Sequence, residues 1–336
     1  MLHCLLPGGR PGGRLPAWNE GGIVVAGSVV LGASGGLGAA IVRILAERGE
    51  EVRAAVRRPA GCSDLFNGNV EIVQSDADDA ASLEEACRGT TRIFHCVNVP
   101  YSRWTEALPG INRNILEVAR RNRATLVFPG NVYGYGPFQS LPVREDHPRA
   151  ATGPKGRLRN ETEEAFLKAH ESGDIRLVLP RLPDFYGPNV TNPLFGGIFR
   201  AALDGKKAYW PGNLDQPHDL IFITDAAQAT VLLSETPGAE GQTWHVPGPG
   251  PVTGREFLTL VFQAAGGRPR IGVWKRNLLR IIGFFQPDVR ELDEILHQFE
   301  RPYVLDGSKF AARFPDFRFT PHERAVRETL DWFRTH

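Results

Sequence analysis

The sequence predicts an α/β fold with a doubly wound parallel sheet, and two observations carry this prediction. Apolar, strand-like runs alternate with segments of helical periodicity from residue 23 to about residue 180. At the start of this series, a β-branched run that ends at Leu31 leads directly into a glycine-rich turn and then into an amphipathic helix. Strands and helices that alternate in this way form a parallel sheet covered on both faces, and ligands bind outside the carboxyl ends of its strands.

The glycine-rich turn has the spacing of a dinucleotide-binding loop. Of three spaced glycines, one allows a tight turn, one lets the backbone approach a pyrophosphate, and one lets the helix pack closely on its strand. The helix then offers free N–H groups and the positive end of its dipole to phosphate. The alternative is a glycine-rich turn that binds nothing. We expect cofactor contacts from Gly32, Ser34, Gly35, Gly36, Leu37 and Gly38.

The next strand indicates which dinucleotide is preferred. The strand Val52–Val56 ends in Arg57 and Arg58, and no carboxylate stands at its tip. An NAD site normally has Asp or Glu at this place for the ribose 2′-hydroxyl, whereas an arginine accommodates the 2′-phosphate of NADP. Two planar guanidinium groups suit a dianionic phosphate, so we expect NADP(H) to be preferred over NAD(H). The alternative is a pair of solvated arginines before a turn at 59–61.

Composition narrows the class of partner. The 336 residues include 39 Lys and Arg against 38 Asp and Glu, a net charge of +1 at pH 7. This balance gives no electrostatic footprint for nucleic acid or an anionic membrane, so a small-molecule substrate is favoured. The four cysteines, Cys4, Cys62, Cys87 and Cys96, form no CxxC pair and indicate neither a metal site nor a disulfide framework. A reducing, cytoplasmic location fits best, and a homodimer is left open.

We divide the chain into three parts. Residues 1–22 are rich in Gly and Pro and are expected to form a flexible leader. Residues 23–180 form the expected NAD(P)-binding core, and 181–336 form mainly a substrate lobe, with segments around 215–246 returning to the core. The uncharged run 23–42 has the length of a membrane span, but its glycine spacing and amphipathic second half favour the turn and helix instead.

Residues at the ends of the next strands complete the expected cofactor site. Asp76 and Ala77 follow a strand at 70–73, and Val97 and Asn98 close a strand at 92–97. Asp76 could accept a hydrogen bond from the adenine amino group, and the alternative is an ordinary turn aspartate. All four residues fall at the edge of the sheet where ligands bind.

Two capping boxes predict helix starts in the second half of the chain. Thr253 with Glu256 precedes one apolar run, and Thr320 with Glu323 precedes another. Pro321 is expected at the first helical position of the second helix.

Several ordered motifs resemble the short-chain dehydrogenase/reductase superfamily, specifically its extended and atypical branch of NAD(P)-dependent epimerases, dehydratases and reductases. The similarity spans about residues 29–332. The resemblance implies a Rossmann-type core with a smaller C-terminal substrate lobe, and it places a loop around Pro183 near the nicotinamide. The motifs are the glycine turn 32–38, the segment 51–59, Asp76, the Asn-Val-Tyr-Gly stretch at 131–134, the loop 181–188 that ends in Tyr-Gly-Pro, the Phe-Ile-Thr-Asp stretch at 222–225, and the ending 306–321.

The chain departs from this family in its proton donor. Family reductases and epimerases usually use Tyr-x-x-x-Lys with a nearby Ser or Thr, whereas no tyrosine occurs here between Tyr135 and Tyr186. Lys155 is the first substitute, since burial and a bound nicotinamide would push its ammonium toward the neutral form. Tyr133 is the second, and Asn131 could orient a substrate oxygen. For each residue the alternative is a structural role without chemistry.

Two functions from different classes follow. The first is an NADP(H)-dependent oxidoreductase or epimerase of the extended type, acting on a carbonyl or sugar-like small molecule. The second is an NADP-binding sensor, or a family member that catalyses little because the usual Ser-Tyr-Lys set is missing. The cofactor loop is compatible with both, and the missing tyrosine favours the second.

Overall fold

The computed structural model describes residues 27–66, 70–277, 279, 284 and 287–336. The expected leader at 1–22 and the first residues of the expected opening strand lie outside these ranges. Within them, no helix is long and apolar enough to cross a membrane. The described residues also contain no group of three or more His, Cys, Asp or Glu side chains that could hold a metal ion.

The core of the structure is a seven-stranded parallel sheet in the order β10-β6-β5-β4-β1-β2-β3. This confirms the predicted Rossmann-type α/β fold. The strands are β1 (Ser28–Leu31), β2 (Val52–Val56), β3 (Val70–Gln74), β4 (Arg92–His95), β5 (Thr125–Val127), β6 (Arg176–Arg181), β7 (Asp184–Tyr186), β8 (Ala208–Pro211), β9 (Pro217–Phe222), β10 (Thr243–His245), β11 (Pro251–Thr253) and β12 (Ile271–Trp274).

Helices cover both faces of this sheet. Their bounds are α1 (Gly36–Glu47), α2 (Ala80–Cys87), α3 (Trp104–Asn122), α4 (Pro154–Glu171), α5 (Phe195–Leu203), α6 (Ile223–Ser234), α7 (Gly254–Ala264), α8 (Pro287–Arg290), α9 (His297–Glu300), α10 (Ser308–Arg313) and α11 (His322–Thr335). Helix α1 packs against α6, while α3 packs against α2 and α4. Strand β1 is buried from both sides, since Val30 belongs to one apolar cluster and Val29 and Leu31 to the other.

The later segments add smaller sheets. Strands β11, β9 and β7 form a three-stranded sheet, and β12 pairs in parallel with β8. Strand β10 returns to the edge of the central sheet beside β6. Helix α7 begins with the expected capping box, because Thr253 and Glu256 bond each other's backbone N–H.

The second expected capping box is not formed. Helix α11 begins at His322, and Pro321 precedes it instead of standing at its first position. The backbone N–H and the hydroxyl of Thr320 both donate to the carboxylate of Asp225, at 2.7 and 2.8 Å. Asp225 lies in the first turn of α6, so a tertiary contact has replaced the local one.

The strand order creates a crevice beside β1. From β1 the chain moves outward through β2 and β3 and then returns to β4 on the other side of β1. Ligands of doubly wound sheets bind at such a reversal, outside the carboxyl ends of the strands. The candidate site therefore lies around the residues that follow β1 to β6.

Candidate active site

The glycine turn between β1 and α1 is tightly packed at two of its glycines. Gly32 has φ +77°, and a Cβ placed on it would lie 2.7 Å from the Cys96 carbonyl oxygen. A Cβ on Gly38 would lie 2.4 Å from the Gly32 carbonyl oxygen. Only glycine fits these two positions, so they shape the turn and seat the helix on it.

The intervening residues are open to a ligand. Gly35 is exposed, and a Cβ on it would meet only the Gly32 oxygen at 3.4 Å. Gly35 precedes α1 without a side-chain cap, so the first N–H groups of the helix have no acceptor within the helix. Ser34 is also exposed, while Gly36 and Leu37 are half-buried. The opening, the free N–H groups and the helix dipole fit the pyrophosphate of a dinucleotide.

The loop after β7 supports this turn from outside the sheet. The side-chain amide of Asn189 donates to the Ser34 carbonyl oxygen at 3.0 Å, and Asn189 itself has φ +62°. A Cβ on Gly36 would lie 3.2 Å from the Asn189 carbonyl oxygen. Asn189 was not singled out from the sequence, although it directly follows the Tyr-Gly-Pro motif at 186–188.

The expected ribose and adenine contacts lie at the neighbouring strand ends. Arg57 and Arg58 follow β2, are exposed, and pair with no carboxylate in the described part of the chain. Asp76 follows β3 and is exposed, with one carboxylate oxygen accepting the Asp78 N–H at 3.2 Å. Ala77 is buried behind it. Asp76 therefore forms its own turn and keeps its second oxygen without a partner among the described residues.

The other side of the crevice is formed by the residues after β4 and β6. The Cys96 N–H donates to the Leu31 carbonyl at 3.0 Å, and the Val97 Cα would lie 3.0 Å from a Cβ on Gly32. Val97 is thus in contact with the glycine turn, whereas Asn98 is exposed and accepts the Val99 N–H. Pro183 is buried in the link between β6 and β7.

Two of the expected catalytic residues follow β5. The Asn131 side chain accepts the Tyr133 N–H at 3.1 Å, and the Asn131 carbonyl accepts from the buried Arg181 guanidinium at 2.8 Å. Tyr133 is 8% exposed, and its hydroxyl lies 2.6 Å from that of Tyr101. Burial raises the pKa of Tyr133 well above its ordinary value. Asn131 therefore fixes the local turn, while Tyr133 belongs to a hydrogen-bonded pair of tyrosines.

Lys155 lies in an environment that differs from the expected one. Its side chain is buried at the start of α4, and its ammonium bonds Glu291 and lies 3.4 Å from Glu294. Glu294 also accepts the backbone N–H of Lys155 at 2.9 Å and of Gly156 at 3.1 Å. Two carboxylates therefore pair with the Lys155 ammonium at the start of α4.

Sequence reasoning missed two residues beside Lys155 and Tyr133. Tyr101 stands in a short 3-10 turn after β4, and its ring edge contacts Trp104 at 5.0 Å between centroids. Arg159 stacks its guanidinium 4.6 Å from the Trp104 ring centre. The sequence spacing could have identified Arg159. It lies four residues after Lys155 and hence on the same face of the helix.

The opposite wall contains an acidic residue held by an imidazole. The His218 ring nitrogen lies 2.9 Å from the Asp184 carboxylate, and the ring stacks between Phe299 and Tyr303. Asp184 is half-buried, with 24% of its side-chain surface exposed. Tyr186 at the end of β7 is fully buried and bonds His322.

Comparison with known proteins agrees with this geometry. The family described as "NAD dependent epimerase/dehydratase family" matches residues 28–246. Sterol demethylase protein B of Methylococcus capsulatus is 26% identical over 259 residues, covering 73% of this chain and 77% of the relative. The dTDP-6-deoxy-L-talose 4-dehydrogenase (NAD(P)(+)) of Kitasatospora kifunensis is 26% identical over 257 residues, covering 70% and 78%.

Solved structures share the fold at lower identity. UDP-glucose 4-epimerase of Thermus thermophilus, in complex with NAD, has a TM-score of 0.74 at 21% identity and covers 91% of this chain and 98% of its own. Enzyme WbmH of Bordetella bronchiseptica, in complex with NAD+, has a TM-score of 0.73 at 22% identity, with 92% and 98% covered.

The fold and the glycine turn together define a Rossmann-type α/β protein with a ligand crevice beside β1. The chain belongs to the NAD dependent epimerase/dehydratase family, the extended branch of the short-chain dehydrogenases/reductases that its motifs resemble. This membership places it among the oxidoreductases and epimerases of the extended type.

Proposed function

We propose that this protein binds NADP(H) in preference to NAD(H) and is an oxidoreductase or epimerase that acts on a carbonyl or sugar-like small molecule. The observation that carries the proposal is the open glycine turn. Gly35 is exposed between two glycines whose surroundings leave no room for a Cβ, and it precedes the uncapped amino end of α1. A pyrophosphate fits this place because backbone N–H groups and the helix dipole both favour an anion.

The preference for NADP(H) rests on the tip of β2. Arg57 and Arg58 have no ion-pair partner within the described ranges, so both guanidinium groups are free for a 2′-phosphate. Asp76 offers its second carboxylate oxygen to the adenine amino group, with Ala77 beside it. Val97, Asn98 and Pro183 would then lie toward the nicotinamide, because they follow strands on the other side of the crevice.

The chemistry divides between the cofactor and the chain. A bound nicotinamide supplies or accepts a hydride. The side chains beyond β4, β5 and the start of α4 would orient the substrate oxygen and hold or move its proton. Candidates are Asn131, Tyr133 and Lys155. Asn131 bonds a backbone N–H and Lys155 bonds a carboxylate, whereas the partner of Tyr133 is the partly buried hydroxyl of Tyr101, which can itself carry a proton. These contacts favour Tyr133 over the other two.

The same contacts keep a second function open to test. The ammonium of Lys155 is held by Glu291 and Glu294, and this pairing would block its use as an acid unless the carboxylates move away. A protein that binds NADP(H) without turning over a substrate would serve as a sensor. The pairing of Lys155 is the one structural observation that supports the sensor function. Consumption of any substrate would contradict that function.

The test begins with binding and continues with turnover. Titration calorimetry with NADPH and NADH should show tighter binding of NADPH. NADPH oxidation is then followed with aldehydes, ketones and nucleotide sugars, and product analysis covers an epimerase that regenerates its cofactor in each cycle. Binding with no product on any substrate supports the sensor, and equal or absent binding of both cofactors contradicts the proposal.

The proposal extends to the substrate, the assembly and the location of the protein. Solved relatives include a UDP-glucose 4-epimerase of Thermotoga maritima with UDP-glucose, which makes sugar nucleotides the first substrates to test. A homodimer and a cytoplasmic location are compatible with a nearly neutral chain that has no CxxC pair. Size-exclusion chromatography with light scattering measures the assembly directly.

A further inference from the structure

The pair of tyrosines beyond β4 and β5 stands where two loops from the crevice meet. The hydroxyls of Tyr101 and Tyr133 lie 2.6 Å apart, and both rings pack on Trp104, at 5.0 and 5.9 Å between centroids. Trp104 is buried and donates its indole N–H to the Val99 carbonyl oxygen at 2.9 Å. A fixed indole thus holds two phenols in hydrogen-bond contact at the edge of the sheet where ligands bind.

The two hydroxyls are not equivalent. Tyr133 is 8% exposed, and burial and its neighbours raise its pKa well above the ordinary value. Tyr101 is less completely buried, and burial raises its pKa to about 12, while the bond from Tyr133 acts to lower it. Tyr101 is therefore the member of the pair that ionises more readily.

The guanidinium of Arg159 lies beside this pair. Arg159 is in contact with the rings of Trp104 and Phe128, and its Nε is buried with no hydrogen-bond partner in the described structure. Burial lowers the pKa of Arg159, and its charge acts to lower the pKa of Tyr101. The carboxylate of Glu163 helps to keep Arg159 charged, and a cation favours a nearby phenolate.

We propose that Tyr101 is the catalytic proton donor of this protein, with Tyr133 as the residue that hydrogen-bonds it and Arg159 as the cation that stabilises its phenolate. This inference rests on the proposed oxidoreductase or epimerase function. It assigns to the loop after β4 the role that a tyrosine on α4 would otherwise have. It also explains why Lys155 can remain between Glu291 and Glu294.

The proton transfer balances in both directions. In reduction, the Tyr101 hydroxyl gives its proton to the substrate carbonyl oxygen while the carbonyl carbon receives the two electrons of the hydride from the reduced cofactor. The C=O double bond becomes a C–OH single bond, with the new O–H bond formed by the Tyr101 proton and the new C–H bond formed by the hydride that a bound cofactor would supply. The Tyr101 phenolate recovers its proton from solvent, since Tyr101 is only partly buried. In oxidation, the phenolate accepts the substrate hydroxyl proton instead.

Several charged groups surround Tyr101 and contribute to its ionisation. Lys155 lies 5.9 Å from the centre of its ring, and Arg159 acts from the next turn of α4. Asp184, from β7, opposes ionisation. The turn at Tyr101–Arg103 also packs against α8, where Arg290 pairs with Glu291. A positively charged nicotinamide would add to the two cations, so cofactor binding is expected to favour the phenolate.

The first experiment measures tyrosine ionisation without any substrate. Ultraviolet titration of the full chain, with and without NADP+, should show one tyrosine whose pKa falls by about one unit or more when NADP+ is bound. Tyr101→Phe should remove this response. Tyr209→Phe is the matched control, because Tyr209 stacks on Trp274 in the β8–β12 pair and should leave the response intact. Arg159→Met should weaken the response.

The second experiment uses whichever substrate the NADPH oxidation test identifies. Tyr101→Phe should lower kcat by about a hundredfold to ten-thousandfold with NADPH affinity unchanged, while Tyr209→Phe remains active. An active Tyr101→Phe, or an NADP+ response that survives in it, overturns the assignment. Absence of NADP(H) binding to the unaltered protein contradicts the proposed function itself, so the two failures are distinct.

Discussion

At the scale of single residues, Arg57 and Arg58 make the preference for NADP(H) testable. Removing one charge-assisted contact typically costs about 1.5–3 kcal/mol, or roughly tenfold to a hundredfold in affinity. The double variant Arg57→Ala/Arg58→Ala should therefore bind NADPH roughly that much more weakly and bind NADH as before. Titration calorimetry on both cofactors measures the change. Unchanged NADPH affinity would mean that these side chains are only solvated.

Lys155 gives a second residue-level prediction, which concerns stability. Lys155→Met keeps the approximate bulk and removes the ammonium, so Glu291 and Glu294 lose their buried partner. A charged group left without its partner typically costs about 1–3 kcal/mol, and we expect a loss of this order in the free energy of unfolding. Urea denaturation measures it.

A matched control separates the site from the general effect of losing a lysine. Lys168 lies on the same helix, pairs with Glu164, and is largely exposed. Lys168→Met should show no measurable change, because exposed ion pairs contribute little. If Lys155→Met is as stable as the unaltered protein but has lost turnover, Lys155 is the proton donor and the assignment of Tyr101 is wrong.

At the scale of elements, the turn into α1 predicts opposite outcomes for two glycines. Gly35 has φ −78° and ψ 164°, which any residue adopts, and open space beside it. Gly35→Val should fold normally and lose cofactor binding, because the branched side chain occupies the place of the pyrophosphate. Circular dichroism and calorimetry together measure fold and binding.

Gly38→Ala provides the contrast within the same element. Its Cβ would lie 2.4 Å from the Gly32 carbonyl oxygen and 3.0 Å from the Ala33 Cα, so backbone has to move. Overpacking of this kind typically costs about 1–3 kcal/mol, and here the loss should appear in the melting temperature. Normal NADPH binding by Gly35→Val would show that the phosphate does not bind at this turn.

Helix α4 shows how one element depends on another. Its first residues have no side-chain cap of their own, and Glu294 accepts the N–H groups of Lys155 and Gly156. A Cβ on Gly153 would overlap the Glu294 carboxylate, at 2.2 Å from one oxygen. The start of α4 is therefore fixed by the segment that follows α8, and the position of Lys155 is set by both.

At the scale of the whole molecule, a buried carboxyl group couples folding to pH. Burial raises the pKa of Asp219 from 3.8 to about 7. The folded state holds this proton more tightly than the unfolded chain does. Protonated Asp219 therefore stabilises the fold, and this contribution is complete below the pKa of the unfolded state. It is lost as pH rises toward 7. Asparagine cannot ionise. The stability of Asp219→Asn relative to the unaltered protein should therefore rise across this range, by up to about 1.4 kcal/mol per pH unit.

Urea denaturation of both proteins across this range measures the difference. The buried imidazoles of His95 and His245 act in the other direction, since burial lowers their pKa values to about 4 and about 3. Their contribution is present above pH 6.5 and is lost as pH falls. Both proteins retain them, so they cancel in the comparison. A difference that is independent of pH would show that Asp219 does not titrate in the folded state.

The sequence alone determined the features that depend on neighbouring residues. Alternating periodicities identified the parallel sheet, and the glycine spacing identified the turn, because strand, turn and helix are contiguous. Arg57 and Arg58 were found at the tip of β2 because strand direction fixes which end faces the crevice. The capping box at Thr253 formed as predicted, since both of its partners lie within one helical turn.

Only the tertiary structure decided which side chains meet across the fold. Lys155 was expected beside the nicotinamide as the proton donor, but it pairs with carboxylates 136 and 139 residues away. Tyr101 and Tyr133 share a hydrogen bond across two loops, and Thr320 bonds Asp225 instead of closing its own capping box. Local periodicity determines the backbone conformation and the face of each element that is apolar. The partner of a polar side chain depends instead on how distant elements pack, because that packing decides which carboxylates are buried beside it.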